Sequence, residues 1–388
     1  MAKSRIESLG GSSLTSVVAV LGLAASALGC GSSTDEPTPG PAEVPENGPG
    51  TMPCNISTGY KGDDACIQAP DPAVGMQLHY GPKDYTNQAE VARYLLMPGE
   101  EKTDCVFVKT TNDSLVYFNE YHGRMRPGSH HMLLYVRGET APDSIGPEGC
   151  NQGLDTRNLF GAQTEKVDVK ALAGASPEYE GLAVKLEPHL QGVVQMHFIN
   201  TGSEPILREG WANFIYTPES EVKLLGDPIF FIGARISVPP GATQVIKGMV
   251  ASYDSLVQGV PNPPERVNLV GGTGHFHANT VRFSAWKVSG GQKELLIEDY
   301  DWHEPSLMQF NSTKKNPQPD AQAKTAGGYS GIVSIGAGET IEWECEIVNK
   351  TNPPVTLTFG NEVYTKEMCN MFGMYTPTVG HAWRNSAF

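Results

Sequence analysis

The sequence predicts an all-β protein in which two β-sandwich domains follow one another along the chain. Short apolar runs separated by turn residues recur through most of the 388 residues. The 43 glycines and 29 prolines, together with only 18% charged residues, are typical of a loop-rich β protein rather than a helical one. Helical periodicity is weak throughout, and a short helix is predicted only at 87–97.

The clearest predicted strands are short runs rich in β-branched and aromatic residues. They lie at 104–110, 132–136, 192–199, 228–232, 280–288 and 340–348. Many short strands over roughly 300 residues imply two sandwiches in tandem. We therefore expect a first domain at 69–222 and a second domain at 223–388.

Residues 1–30 are predicted to be a lipoprotein signal peptide. An apolar run at 14–28 is too short for a comfortable membrane span and fits a secretory signal. It ends in ALGC at 27–30, which resembles a cleavage site at which the cysteine, Cys30, is lipidated. Ordinary signal cleavage that leaves Cys30 free is the alternative. The segment predicts an exported protein, lipid-anchored to a bacterial membrane at the outer membrane or the cell surface.

The stretch from residue 31 to about 52 is predicted to be a disordered tether, because it consists mostly of Pro, Gly, Ser and acidic residues and has almost nothing to bury. Cys54 and Cys66 then bracket a short loop, which completes the segment 31–68. The net charge of −15 argues against nucleic acid as a partner, since phosphate binding requires basic patches.

Seven cysteines are present, and without Cys30 an even number remains. In an exported chain such a set indicates disulfides, although the sequence alone leaves their pairing open. No pair has the C-x-x-C spacing, so a zinc ribbon or a thioredoxin-type site is not expected.

Three compact histidine motifs are candidate metal ligands: His130-His131, His197 in the sequence QMH, and His275-Phe-His277. Residues two apart on a strand face the same side, so His275 and His277 can reach one ion. Adjacent strand residues face opposite sides, so His130 and His131 can share an ion only at a strand end or a distortion. Taken alone, each motif also fits a surface or hydrogen-bonded histidine.

The order of the three motifs, followed by Met368 in the sequence EMCNMFGMY, resembles the copper type II, ascorbate-dependent monooxygenases. That family includes the peptidylglycine α-hydroxylating enzyme and dopamine β-hydroxylase. The resemblance covers most of residues 100–388, and all six ligand positions are filled. It implies two jelly-roll-like domains, each with one copper ion.

The resemblance assigns an electron-transfer copper to His130, His131 and His197. It assigns the oxygen-activating copper to His275, His277 and Met368, the set that carries catalysis. Ascorbate or another reductant would reduce both ions, and O₂ would hydroxylate a small substrate at the second site. The second electron would arrive from the first site across a solvent-filled cleft. The ligand chemistry agrees, because a thioether favours Cu(I) and neither site requires a carboxylate.

The resemblance also implies a cysteine pairing. Cys369 follows the methionine ligand and would pair with Cys345, while Cys105 and Cys150 would close a bridge around the double histidine. Cys54 and Cys66 are then left for each other. The family disulfide that links the two domains is missing here. A bridge beside Met368 would restrain the loop that presents this ligand.

The residues that resemble the substrate site differ from those of the peptide-amidating enzymes. Those enzymes hold a substrate carboxylate with an Arg before the H-x-H motif, and with an Asn and a Tyr after the Met-Cys pair. Here Thr273 stands in place of the Arg, Asn370 is kept, and Phe372 replaces the Tyr. Without the cation, a carboxylate loses its bidentate partner. A more apolar or aromatic small substrate is therefore expected.

Two other functions fit some of these features. A non-catalytic surface lipoprotein that binds copper or another ligand would keep the fold, but it has no need for two dissimilar copper sites. A zinc hydrolase built on the H-x-H pair lacks a nearby general base of the H-E-x-x-H type. Oligomeric state stays open at this point. The remaining histidines have no partner spacing and are expected to be surface or hydrogen-bonded residues.

Overall fold

The computed structural model describes residues 50–137, 144–146, 157–170, 176–248 and 250–385. The predicted signal peptide with Cys30, the tether up to residue 49, and Cys150 lie outside these ranges. Within them, no helix combines the length and the hydrophobicity that a bilayer crossing requires. The part of the chain from Pro45 to Phe388 is one compact unit, and the following description concerns this unit.

The described residues of the first half form thirteen strands and a short helix. These are β1 (Gly75–Tyr80), α1 (Gln88–Ala92), β2 (Leu95–Leu96), β3 (Glu101–Lys109), β4 (Val116–Met125), β5 (Ser129–Arg137), β6 (Ser144–Gly146), β7 (Arg157–Ala162), β8 (Lys166–Val169), β9 (Leu182–Leu186), β10 (Gln191–Ile199), β11 (Ile206–Leu207), β12 (Gly210–Tyr216) and β13 (Leu224–Leu225). They form one sheet of order β1-β12-β4-β9-β13, in which β8 also pairs with β4, and a second sheet of order β6-β3-β10-β5-β7. β2 and β11 form a separate pair.

In the second half, the residues that the structure describes form fourteen strands and a second short helix. These are β14 (Asp227–Phe231), β15 (Ser237–Val238), β16 (Thr243–Lys247), β17 (Ala251–Ser252), α2 (Tyr253–Leu256), β18 (Arg266–Phe276), β19 (Thr280–Ser289), β20 (Gln292–Asp299), β21 (Met308–Gln309), β22 (Gly327–Gly328), β23 (Val333–Gly336), β24 (Thr340–Val348), β25 (Leu357–Thr358), β26 (Cys369–Thr376) and β27 (Trp383–Arg384). One sheet has the order β21-β18-β26-β14-β27 with β23 added to β18. The other has the order β16-β24-β19-β20-β22 with β17 added to β24, and β15 pairs with β25.

Three single 3-10 turns, at Asp63–Ala65, Pro177–Tyr179 and Glu219–Glu221, complete the described elements. The predicted all-β sandwich fold is confirmed. The helix predicted at 87–97 is shorter, because Leu95 and Leu96 pair with Ile206 and Leu207 as β2 and β11. Asn87 caps its first turn by accepting a hydrogen bond from the Glu90 amide at 3.2 Å.

In the first half, successive side chains of β5 and β10 point to opposite faces of their sheet. Met132 and Leu134, with Val194 and Met196, face the apolar core of this half. The residues between them point the other way, where Leu133 and Val193 belong to a second apolar cluster that also contacts Phe372 of β26. Because side chains on a strand alternate, Leu133, Tyr135 and Val193 face the second half of the unit.

The same alternation orients β26 in the second half. Cys369, Met371 and Tyr375 enter the core between the two sheets of this half. Phe372 and Met374 point the opposite way and contact clusters that contain residues of the first half. The two halves therefore meet through the sheet that contains β5 and β10 and the sheet that contains β26, and Leu182 of β9 adds to this contact. The contact positions the site described below.

The boundary between the two groups of sheets lies at Gly226, since Leu224–Leu225 still pairs with β9 and Asp227 begins β14. The division into two separate domains at residue 222 stays a prediction, because Pro45–Phe388 is one compact unit. Two of the predicted disulfides are present: Cys54–Cys66, with a Cα–Cα distance of 5.2 Å, and Cys345–Cys369, at 5.9 Å. Cys105 is also disulfide-bonded, and its predicted partner Cys150 lies outside the described residues.

Candidate metal centre

Five buried histidines converge where the two groups of sheets meet. Their side chains form two sets, His130 with His131 and His197, and His130 with His275 and His277. In each set one ring nitrogen per residue lies within 4.8 Å of the others. Each of the five residues is at most 2% exposed. All five histidines predicted as ligands are thus brought together, and His130 takes part in both sets.

A β-bulge places His130 and His131 in the same cluster. Along the β5–β10 pair His197 lies opposite His131, and the next pair joins Phe198 to Ser129. His130 is therefore an extra residue without a partner on β10, which is the geometry of a bulge. The distortion lets two adjacent side chains approach one another, with a ring-centroid distance of 5.2 Å between them.

The second pair of histidines comes from the end of β18. His275 lies on this strand opposite Asn370 of β26, and Phe276 lies opposite Cys369. His277 follows directly after the strand ends. Its ring lies 5.6 Å from that of His275 and 5.4 Å from that of His130, so the H-x-H motif points into the cluster as its spacing predicts.

The hydrogen bonds of Gln163 determine the tautomer of His275. The Gln163 amide group donates from Nε2 to the carbonyl oxygen of Gly274 at 3.0 Å. Since a carbonyl can only accept, this bond fixes the orientation of the amide. Gln163 Oε1 then lies 2.6 Å from His275 Nδ1, so Nδ1 carries the proton. Nε2 of His275 is buried without a hydrogen-bond partner among the described residues and is the nitrogen left for a metal ion.

Glu101 sets the opposite tautomer in His197. The Glu101 carboxylate accepts from His197 Nε2 at 2.8 Å, and the same oxygen accepts from the Val363 amide at 2.7 Å. Nδ1 of His197 is therefore the unprotonated nitrogen, and it too has no partner in the described part of the chain. Because Glu101 belongs to the first half and Val363 to the second, this contact also ties the two halves together beside the site.

Eight ring nitrogens of the five histidines are buried without a hydrogen-bond partner among the described residues. Leaving a buried polar atom unsatisfied costs about 1–3 kcal/mol, so such a cluster is costly unless something binds it. Burial first, and the neighbouring imidazoles second, hold the pKa well below its ordinary value in four of these residues: His130, His131, His275 and His277. Neutral imidazole is the form that binds a metal ion.

Met368 lies beside His277 at the start of β26. The amides of both residues donate to the same oxygen of Glu367, at 2.6 Å from His277 and 2.9 Å from Met368. Asn370 donates to the Met368 sulfur at 3.5 Å and accepts from the Gly233 amide at 3.2 Å. Glu367 is fully buried, and this burial raises its pKa to about 8. These contacts hold the backbone of Met368 beside that of His277.

The two predicted copper sites adjoin each other. The resemblance implies two ions separated by a solvent-filled cleft. Here the ring of His275 lies 5.0 Å from that of His131 and 5.4 Å from that of His130. Because histidines of one set contact histidines of the other, the described structure leaves no cleft between these rings.

An apolar cavity of about 310 Å³ opens beside the histidine cluster. It lies between the two halves, since Phe160 and Gln163 line it from one side and Ile229, Thr273 and Phe372 from the other. None of the described residues that line it carries a charge. A pocket of this size and polarity suits a small uncharged molecule.

The three predicted substrate residues fall in different places. Thr273 and Phe372 line the cavity and lie opposite each other on β18 and β26. Phe372 stacks on Phe230 at 5.1 Å and lies 5.5 Å from the His275 ring. Asn370 is buried and contacts Met368 instead of the cavity, so its position fits a role in holding the methionine.

Four neighbours of the cluster do not follow from the histidine motifs. Three of them form hydrogen bonds with predicted metal ligands: Glu101, Gln163 and Glu367. The fourth is Trp302, whose ring lies 5.6 Å from that of His130. Glu367 is the only one next to a predicted ligand in the sequence. The others approach through long-range packing, which no local spacing signals.

The sequence matches no protein-family model and no curated protein. The assignment of chemistry to this cluster therefore rests on the residues themselves and on the resemblance of their motifs.

Proposed function

We propose that the protein is a copper type II, ascorbate-dependent monooxygenase that hydroxylates a small, uncharged, mainly apolar substrate. The observation that carries this proposal is the cluster of five buried histidines whose unpartnered nitrogens face one another. Cys30 would anchor the exported protein to the membrane by lipid, and the disulfides are in keeping with an oxidising compartment.

The donor set favours copper over other ions. Each described set contains only imidazoles, whereas Mg²⁺ and Ca²⁺ require oxygen ligands. Zinc accepts three histidines, but a thioether such as that of Met368 favours soft Cu(I). His130, His131 and His197 would hold one copper, and His275, His277 and Met368 the other. Bound copper would supply the one-electron chemistry through which O₂ reacts with a C–H bond.

The protein itself orients the imidazoles and keeps bulk water out of the site. Gln163 holds the imidazole of His275 and Glu101 holds that of His197. In each ring, the second nitrogen points away from this hydrogen bond. Glu367 holds the backbone of His277 beside that of Met368. The burial of all the ligands excludes bulk water from the site, which protects a reactive centre from side reactions.

The cavity supports an uncharged substrate. Thr273 and Phe372 face it at the positions where the peptide-amidating enzymes carry an Arg and a Tyr, and no charged residue lines it within the described ranges. Burial of a carboxylate there without a cationic partner would be costly. A molecule about the size of a substituted aromatic ring fits the volume.

Oxygen consumption tests the proposal. The full-length protein, loaded with copper and supplied with ascorbate, should consume O₂ when uncharged aromatic compounds are added, and isotopically labelled O₂ should enter the product. Met368→Leu keeps the side-chain volume and should abolish this reaction. A protein that binds copper but consumes no O₂ with any compound in the panel would instead be the non-catalytic binding protein.

A further inference from the structure

Gln163 contacts both the histidine cluster and the cavity. Its side chain accepts from His275 Nδ1 at 2.6 Å and donates to the Gly274 carbonyl at 3.0 Å. The same residue lines the cavity between the two halves. It belongs to the turn between β7 and β8 in the first half, whereas both of its partners lie on β18 in the second half.

We propose that the cavity binds an uncharged molecule that carries a hydrogen-bond acceptor, and that Gln163 binds this acceptor while it holds the His275 ring. The inference rests on the proposed function, because it names the substrate class of that site. It makes Gln163 a positioning residue for His275 and a specificity residue for the ligand.

The hydrogen-bonding capacity of the amide supports this role. A glutamine side chain has two N–H donors and an oxygen with two lone pairs. Gly274 uses one donor and His275 uses one lone pair. One N–H and one lone pair are left, on a side chain that faces an otherwise mainly apolar pocket. An acceptor on the ligand can take the remaining N–H without displacing either existing bond.

The uncharged lining of the cavity indicates that the ligand is uncharged as well. The described residues that line the cavity include no Asp, Glu, Lys, Arg or His, so an ionised group would lose its hydration without gaining a counter-ion. Thr273, across from Phe372, is already engaged, because its hydroxyl donates to the Gly274 carbonyl at 3.2 Å. Gln163 is thus the lining residue that combines an available donor with contact to a candidate metal ligand.

The tautomer of His275 in the metal-free protein is the first test. In protein labelled at histidine nitrogens, NMR above neutral pH should show His275 protonated at Nδ1, with His275→Ala assigning the signal. Gln163→Leu should redistribute the proton between the two nitrogens, whereas Gln163→Glu should keep it on Nδ1, because a carboxylate also accepts. Gln309→Leu makes the same change at another cavity-lining glutamine and should leave the signal unchanged. An unaltered His275 signal in Gln163→Leu would overturn the positioning role.

Binding of matched probes to the metal-free, full-length protein is the second test. Acetophenone carries a neutral acceptor and no donor, benzoate is an anionic counterpart, and ethylbenzene has no acceptor. Calorimetry should show that acetophenone binds at least tenfold more tightly than benzoate. Loss of one hydrogen bond should weaken acetophenone binding roughly fivefold in both Gln163→Leu and Gln163→Glu, while ethylbenzene should bind Gln163→Leu as it binds the wild type. Benzoate binding as tightly as acetophenone, or acetophenone binding unaffected by either variant, would contradict the proposal.

Neither test depends on copper chemistry. If the protein bound acetophenone through Gln163 and yet bound no copper, the proposed function would fail and the ligand site would stand. If it consumed O₂ with ascorbate while both Gln163 tests failed, the function would stand and this inference would fall. Thermal unfolding of each variant identifies a protein that has not folded, and Gln163→Glu then provides the informative comparison with the wild type.

Discussion

The rings of His131 and His275 lie 5.0 Å apart although they belong to different groups of sheets. His131 comes from β5, which is paired with β10, and His275 comes from β18, which is paired with β26. The cluster is therefore complete only when the two halves of the compact unit are packed together. Since a preformed site hardly exists in an unfolded chain, metal binding should stabilise this packing.

The proximity of the two ligand sets predicts magnetic interaction between two bound Cu(II) ions. His130 belongs to both sets, so an ion bound to one set would lie next to an ion bound to the other. Electron paramagnetic resonance of the oxidised, copper-loaded protein should give fewer spins than the copper content measured by elemental analysis. Two unperturbed signals that account for all the copper would show that the ions are separated.

Replacement of the Met368 thioether should affect one copper only. Met368→Leu removes the sulfur that Asn370 contacts, so we expect loss of one Cu(I) per chain and at least a hundredfold loss of ascorbate-driven turnover, on the order of 3 kcal/mol of barrier. Met371→Leu is the matched control, since Met371 is also buried but packs in the core. Loss of both ions in the Met368 variant would contradict the assignment of two sites.

Glu367 should stabilise the loop that presents His277 and Met368. Glu367→Ala leaves two buried amides without their acceptor, which should cost about 2–4 kcal/mol of unfolding free energy and weaken copper binding. Glu367→Gln keeps an acceptor oxygen and should be milder. Denaturant unfolding of the metal-free proteins measures the difference, and equal losses in the two variants would argue against these hydrogen bonds.

The metal-free protein should lose stability as the pH falls below neutrality. The pKa values of His130, His131, His275 and His277 are lowered in the folded state by burial and by one another, whereas an unfolded histidine has a pKa of about 6.5. At these four positions the unfolded chain therefore binds more protons, so the stability that these histidines contribute is full above about pH 6.5 and is lost as the pH falls towards their folded-state values. Thermal unfolding at a series of pH values measures this loss.

Replacing these four histidines together should flatten that pH dependence. A variant that combines His130→Phe, His131→Phe, His275→Phe and His277→Phe removes the groups whose protonation opposes folding. If the wild type and a folded variant of this kind lost stability equally between pH 8 and about pH 5, the histidine cluster would not be the cause.

Local sequence patterns predicted the parts of the fold that depend on neighbouring residues. The H-x-H spacing follows from the period of a strand, and His275 and His277 do belong to one cluster. The helix at 87–97 was predicted too long, because Leu95 and Leu96 pair with a distant strand. Tertiary pairing of this kind outweighs local propensity.

The arrangement of the site depended on contacts that the sequence does not display. The bulge that frees His130 from β10 is set by the pairing of two whole strands. Gln163 and Glu101 reach His275 and His197 only after the chain has folded. The merging of the two histidine sets follows from how one sheet of each half packs against the other, and no spacing along the chain encodes that packing.

Copper content tests the central claim most directly. The metal-free, full-length protein should take up two copper ions per chain, and His275→Ala should take up about one. That result would identify the buried histidines as a two-copper centre. A protein that binds no copper, or a single ion that the His275→Ala change does not affect, would contradict the account.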